Sequence, residues 1–126
     1  MLYEKPTVKT LADFEVALRD AAARHKFGVL HVHDLQKTMQ SKGVDFSSQA
    51  AVFEACNPHQ AKRSLEANPA VSTMLPCRIS VYEKQGQLIV STVLPAALMA
   101  LFGTPELNPV GEEVEATLKA IIDESA

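Results

Sequence analysis

Apolar residues recur along this chain in two rhythms, one of period near 3.6 and one of period 2. Leu11, Phe14, Leu18, Ala21 and Ala22 fall on one stripe, which predicts an amphipathic helix from about Leu11 to His25. Thr10 is placed to cap it, Asp13 is set for a capping-box-like contact, and Gly28 ends the segment. Ahead of it, Leu2 to Lys5 suggests a short strand. Val29 to His33 reads as a strand, with Leu30 and Val32 on one face and Val29, His31 and His33 on the other. Asp34 can cap a short helix, Leu35 to Lys42, closed by Gly43. Ala51 to Cys56 is the next strand. Asn57-Pro58 then pairs a capping residue with proline at the first helical position, which opens a helix from Pro58 to Ala67. Arg78 to Lys84 and Leu88 to Val93 read as a hairpin about a tight Gln85-Gly86 turn. A short apolar helix is expected over Pro95 to Phe102. Asn108-Pro109 repeats the cap-plus-proline signal before a last helix with Val110, Val114, Leu118, Ile121 and Ile122 on its stripe.

This order predicts an α+β fold: a single mixed, mostly antiparallel sheet with helices packed on one face. A doubly wound nucleotide-binding fold is disfavoured, because no glycine-rich loop follows the first strand and no phosphate-loop pattern is present. No internal repeat or low-complexity tract appears.

Composition narrows the function class. At 126 residues, 47% hydrophobic and 21% charged, the chain is expected to form one domain, residues 1–126, with a core of its own. The net charge of −3 comes without a basic stripe, and Lys62-Arg63 is the only adjacent basic pair, so no nucleic-acid partner is expected. No segment approaches the about 20 apolar residues of a membrane helix, and no membrane partner is expected. The N-terminal residues lack the pattern of a secretory signal, so the expected location is cytoplasmic, with Cys56 and Cys77 reduced.

Two stretches stand out, Phe53-Glu-Ala-Cys-Asn-Pro58 and Leu75-Pro-Cys-Arg-Ile-Ser-Val-Tyr-Glu83. With Ala61, Leu65, Pro69 and Gly86, they resemble a family known as domain of unknown function 302, over roughly Leu11 to Pro95. The resemblance implies a compact α+β domain, often a homodimer, and no established activity. Many members carry glycine where Cys56 stands and no thiol where Cys77 stands. The two cysteines therefore mark a subgroup, and chemistry built on them would not be family-wide.

The residues themselves leave two readings open. Cys56 ends a strand just before a helix start, where free N–H groups and the helix dipole favour a thiolate; it is equally a small residue of a commonly buried type. Arg78 would stabilise a thiolate at Cys77 if it turned back toward the sulfur; alternatively it pairs with Glu83 or another carboxylate on the sheet while Cys77 packs. Asn57 is foremost a helix cap, with ligand binding at the same helix end as the alternative. His31 and His33 form a His-x-His pair whose side chains lie about 6.5–7 Å apart along a strand, within reach of one transition-metal ion if Cys56 supplied a third ligand. The competing reading is an ordinary sheet surface. His59 is expected to be exposed, and Met74 and Met99 read as core filling. No Gly-x-Ser-x-Gly, His-Glu-x-x-His or Cys-x-x-Cys pattern is present. The leading expectation is thus a non-catalytic binding or interaction domain that dimerises through a sheet or helix surface, any small-molecule ligand being unidentified; a small-molecule pocket between sheet and helices is a third reading. The rival is a thiol- or metal-dependent protein using Cys56 and Cys77.

Overall fold

The structure, a computed structural model, describes all residues from Met1 to Ala126. Five strands form one sheet: β1 (Leu2–Thr7), β2 (Gly28–Asp34), β3 (Ala50–Cys56), β4 (Cys77–Lys84) and β5 (Gln87–Val93). Their spatial order is β1-β5-β4-β3-β2, and each neighbouring pair is antiparallel. The α+β architecture is the expected one. The sheet is not mixed, however, because β1 joins antiparallel to β5 and no parallel pair forms.

The helices are α1 (Leu11–Arg24), α2 (Leu35–Ser41), α3 (Pro58–Ala67), α4 (Pro95–Ala100) and α5 (Leu107–Ser125). A 3-10 segment over Pro69–Met74 links α3 to β4. The stripe on α1 lies where its spacing requires, with Phe14, Leu18, Ala21 and Ala22 buried. The stripe on α5 does the same with Val110, Val114, Leu118, Ile121 and Ile122. These side chains meet Ala51, Phe53, Ala55, Ile79, Val81 and Val90 from the inner face of the sheet. Phe14 and Phe53 stand edge to face at the centre, with ring centroids 5.8 Å apart, a favoured aromatic arrangement. On α5, a Cβ at Gly111 would lie 3.1 Å from Ala96 Cα and 3.2 Å from Met99 Sδ, so glycine permits the close approach of α4.

Capping chemistry sets most helix starts. Thr10 Oγ1 accepts from the Asp13 backbone N–H, Asp34 accepts from Lys37 N–H, and Asn57 Oδ1 accepts from both His59 and Gln60 N–H. In the β4–β5 hairpin, Gln85 and Gly86 both take positive φ, 54° and 77°. That is the backbone a two-residue turn needs to match strand twist.

Two local expectations are corrected, and one segment without an assignment is filled in. The last helix begins at Leu107 rather than after Asn108, and no side chain caps it. Leu107 is fully buried, and its inclusion draws the helix start forward; Pro109 falls in the first turn, where a missing N–H is tolerated. In β2, a register shift between Val29 and His31 places Val29 opposite Ala55 and His31 opposite Glu54. Val29 therefore faces the core while His31 and His33 face away, so the three do not share a face. The extra residue of a bulge reverses the alternation on which the strand was read. Lastly, the segment Pro69–Met74 forms 3-10 turns capped by Asn68 Oδ1, which the flanking prolines obscure in the sequence.

The sheet's first edge is tied to the end of α5. Tyr3 Oη donates to Asp123 Oδ1 at 2.5 Å, and Lys5 Nζ donates to the same oxygen at 2.9 Å. The Tyr3 hydrogen bond, then that from Lys5, holds the Asp123 carboxyl below the usual carboxylate range. Its contribution to stability is therefore complete above the unfolded value of about 4 and is lost as pH falls through the folded value. Asp123→Asn is expected to destabilise the protein at pH 7, with the gap from wild type closing below about pH 4. Urea unfolding over a pH series measures this, and a gap that persists undiminished at pH 3 would contradict it.

Candidate functional site

The thiols lie at one end of the sheet because β3 and β4 are neighbours. Ala55 pairs with Cys77, and Cys56 is the next residue along β3. The α3 cap then starts at Asn57, so a strand end, a helix start and the entrance of β4 converge. Cys77 shares the inner face with the buried Ala55 and is itself packed against the core. Arg78, one residue on, stands opposite Glu54 on the outer face. Sequence neighbours on a strand point to opposite sides.

That alternation decides the Cys77 question. Burial pushes the Cys77 thiol up to about 11, with the nearby Cys56 adding to the effect. Burial also raises Cys56. The expected lowering by Arg78 or by the helix start does not govern either group, and both are thiols at neutral pH. Both are free cysteines.

Arg78 pairs with neither Glu83 nor any other carboxylate; Glu83 instead accepts from the Gln49 backbone N–H. The Arg78 charge does reach Glu54, whose pKa is lowered first by its hydrogen bond with His33 and further by the charges of His33, Arg78 and His31. Glu54 thus sits among His31, His33 and Arg78 on the outer face. The His31 and His33 rings stack with centroids 6.1 Å apart, and His33 Nε2 bonds Glu54 Oε1. Tyr82 continues this face, its hydroxyl bonded to Ser91 Oγ at 2.8 Å and to Glu4 at 3.1 Å. No group of three or more His, Cys, Asp or Glu side chains is arranged to hold a metal ion. His31, His33 and Cys56 are not assembled as ligands: Cys56 lies opposite Gly28, beyond the Glu54 level at which His31 sits.

A cavity of about 250 Å³ opens between the inner face and the helices beside Cys77. Thr73, Met74, Cys77, Thr92, Leu98 and Leu118 line it, with Arg78 and Pro95 also on its wall. Thr92 Oγ1 donates to the Arg78 carbonyl at 2.8 Å, and Thr73 Oγ1 donates to the Ala70 carbonyl, so each hydroxyl keeps acceptor capacity. A mostly apolar hollow with a few polar groups has the chemistry of a small-molecule site. Of its lining, the sequence singled out Cys77 and Arg78 as candidate site residues. Thr73, Thr92, Leu98 and Leu118 carry no local signal; they come from the 3-10 segment, β5, α4 and α5, and only packing unites them. Asn57 is a helix cap, as its first reading has it. His59 is exposed and bears on neither thiol.

A family model described as domain of unknown function DUF302 matches residues 3–125. The chain is also similar to a crystal structure of an uncharacterized conserved protein DUF302 from Bacillus stearothermophilus. The two share 28% identity with a TM-score of 0.94, over 99% of this chain and 98% of that one. No curated protein matches.

The two thiols are expected to react slowly at pH 7, with Cys77 the slower because it is the more buried. Each rate should climb only as pH passes the ordinary thiol value of about 8.5. Arg78→Ala should leave both rates unchanged. Maleimide labelling read by mass spectrometry gives the rates, and fast labelling of Cys77 at neutral pH would contradict its placement.

Proposed function

The chain belongs to the domain of unknown function DUF302 family, a name that carries no activity. From its geometry we propose a non-catalytic, dimerising binding domain that takes a small, largely apolar molecule into the cavity beside Cys77. The carrying observation is that cavity of about 250 Å³. Its size suits a compact ligand, since typical drug-sized sites run from about 300 Å³ upward. Met74, Leu98 and Leu118 supply apolar contact, and the protonated Cys77 thiol adds no charge. The Thr73 and Thr92 hydroxyls keep acceptor capacity at the wall, which makes a hydrogen-bond-donating head group, such as an amide, the fitting polar end of the ligand. The absence of any recognisable nucleophile–base pair at the cavity is why binding is proposed rather than turnover. No helix is long and apolar enough to cross a membrane; the proposal places the protein in the cytoplasm, where its free thiols stay reduced.

The cavity reading is tested by thermal unfolding with small aryl and alkyl carboxylates and their neutral amides. Binders are expected to raise Tm, by about 2.7 kcal/mol of stabilisation at a hundredfold excess over Kd. Leu98→Trp fills the hollow from α4 and should abolish the shift while far-UV circular dichroism stays native. Arg78→Ala changes a side chain on the outer face and should leave every shift unchanged. Shifts that survive Leu98→Trp unchanged would remove this reading.

The dimer rests on a separate surface. Within Leu30 to Val44, four large apolar side chains are exposed: Leu30, Val32, Leu35 and Val44. Helix α2 buries none of its residues. Strand β2 is a sheet edge, with unpaired backbone groups facing outward. A second copy is the occupant that fits, because an identical edge offers matching donors and acceptors about a two-fold axis. Sedimentation equilibrium is expected to show a dimer that Leu30→Asp converts to monomer. A wild-type monomer at high concentration would remove the dimer from the proposal.

A further inference from the structure

Two of the chain's four histidines stand on β2, a strand at the edge of the sheet. His31 lies opposite Glu54 and His33 opposite Val52, so both project from the outer face, and both are exposed. Their ring centroids are 6.1 Å apart. Histidine is the side chain whose charge ordinarily changes between about pH 5 and 8. The exposed apolar residues Leu30 and Val32 alternate with this pair, so one strand carries both an adhesive surface and a titratable charge. The other two histidines are placed elsewhere: His25 closes α1 and bonds Glu124, and His59 lies in α3. Around the β2 pair, β3 contributes Glu54, which bonds His33, and β4 contributes Arg78. The charged residue of α2 is the exposed Lys37. Asp34 at the end of β2 accepts the Lys37 backbone N–H, and Arg24 at the end of α1 is held by Glu124. With both histidines neutral, the charges of Asp34, Glu54, Lys37 and Arg78 cancel.

We propose that the β2 edge is a pH-gated assembly surface: two copies pair along it while His31 and His33 are neutral, and protonation of these histidines drives the copies apart. The gate rests on the β2-edge dimer proposed above and adds the condition under which that dimer forms. A strand that pairs with its own copy about a two-fold axis perpendicular to the sheet runs antiparallel, and directly opposed residues share a face. After the register shift, the regular stretch of β2 runs from His31 to Asp34. An axis at Val32 sets the two exposed Val32 side chains against each other. It also sets His31 of each copy opposite the partner's His33, with Cα atoms about 4.5–5.5 Å apart. An axis at His33 sets that residue opposite the partner's His33, so the histidine contact survives the change of register. Protonation of His31 and His33 makes each copy's patch positive, with no new carboxylate to offset it. Two like charges about 5 Å apart weaken pairing about fourfold even at water's dielectric, and two opposed pairs weaken it by more than about tenfold. Separated copies take up these protons more readily than the dimer, so falling pH shifts the equilibrium toward monomer.

The experiment is sedimentation equilibrium of the full chain on either side of the histidine range, at about pH 8 and about pH 5. The dimer Kd is expected to rise at least about tenfold at the acidic pH in about 0.1 M salt. The rise should shrink in about 1 M salt, where the Debye length falls from about 10 Å to about 3 Å. A double variant, His31→Gln with His33→Gln, should show one Kd at both pH values, whatever its size. His25→Gln with His59→Gln should keep the wild-type dependence. Far-UV circular dichroism should stay native at the acidic pH, which separates dissociation from unfolding. A wild-type Kd equal at the two pH values would overturn the gate and leave the dimer standing. A pH dependence that survives in the His31 and His33 double variant would also overturn it, by assigning the proton to another group. Loss of the native spectrum at the acidic pH would overturn it as well, since unfolding would then cause the dissociation. A monomer at both pH values would remove the dimer and the gate together.

Discussion

β3 and β4 lie side by side with Ala55 opposite Cys77, and this register places almost everything of chemical interest. It brings both thiols to one end of the sheet, next to the start of α3. It turns Cys77 inward toward the core and Arg78 outward toward Glu54. A slip of one residue would exchange the two faces, exposing Ile79 and Val81 and burying Arg78. The apolar pattern of β4, with Ile79 and Val81 both buried, is what forbids that slip. The position of the thiol is therefore a consequence of core packing two and four residues further along the same strand.

Burial also determines what the thiols are. A thiolate needs a nearby cation or a well-placed helix end to offset lost hydration. Cys77 has lost the hydration, and its neighbouring arginine points the other way. The outcome is a neutral sulfur on the wall of the cavity, suited to packing against an apolar molecule. The outer face follows a different logic: His31, His33 and Arg78 are exposed around a mostly covered Glu54, so their mutual attraction is screened and tunes charge more than it stabilises the fold.

Helices cover only the inner face. α5 spans it, with α1, α3 and α4 packed around α5. Coverage fails at the β2 edge, where Val32 stands opposite Phe53 yet stays partly exposed. α2 does not close the gap, because none of its residues is buried. The core is thus complete around Phe14 and Phe53 and open toward β2, which is why apolar exposure concentrates there.

The amino-acid pattern alone determined the elements whose causes are local. The stripes of α1 and α5, the caps at Thr10, Asp34 and Asn57, and the Gln85-Gly86 turn each depend on residues within a turn or two, and all stand where the pattern predicts. The two thiols at strand ends were legible for the same reason. What only the tertiary structure decided involves partners distant in the chain. The β2 bulge depends on β3, and the early start of α5 depends on a place in the core for Leu107. Arg78 stands clear of the Cys77 thiol because alternation turns it to the outer face, opposite Glu54. The cavity draws its walls from segments dozens of residues apart. The side-chain period of a strand says that two neighbours face opposite ways, but which way each faces, and so which one is buried, titrates high or meets a ligand, is settled by the strand beside it.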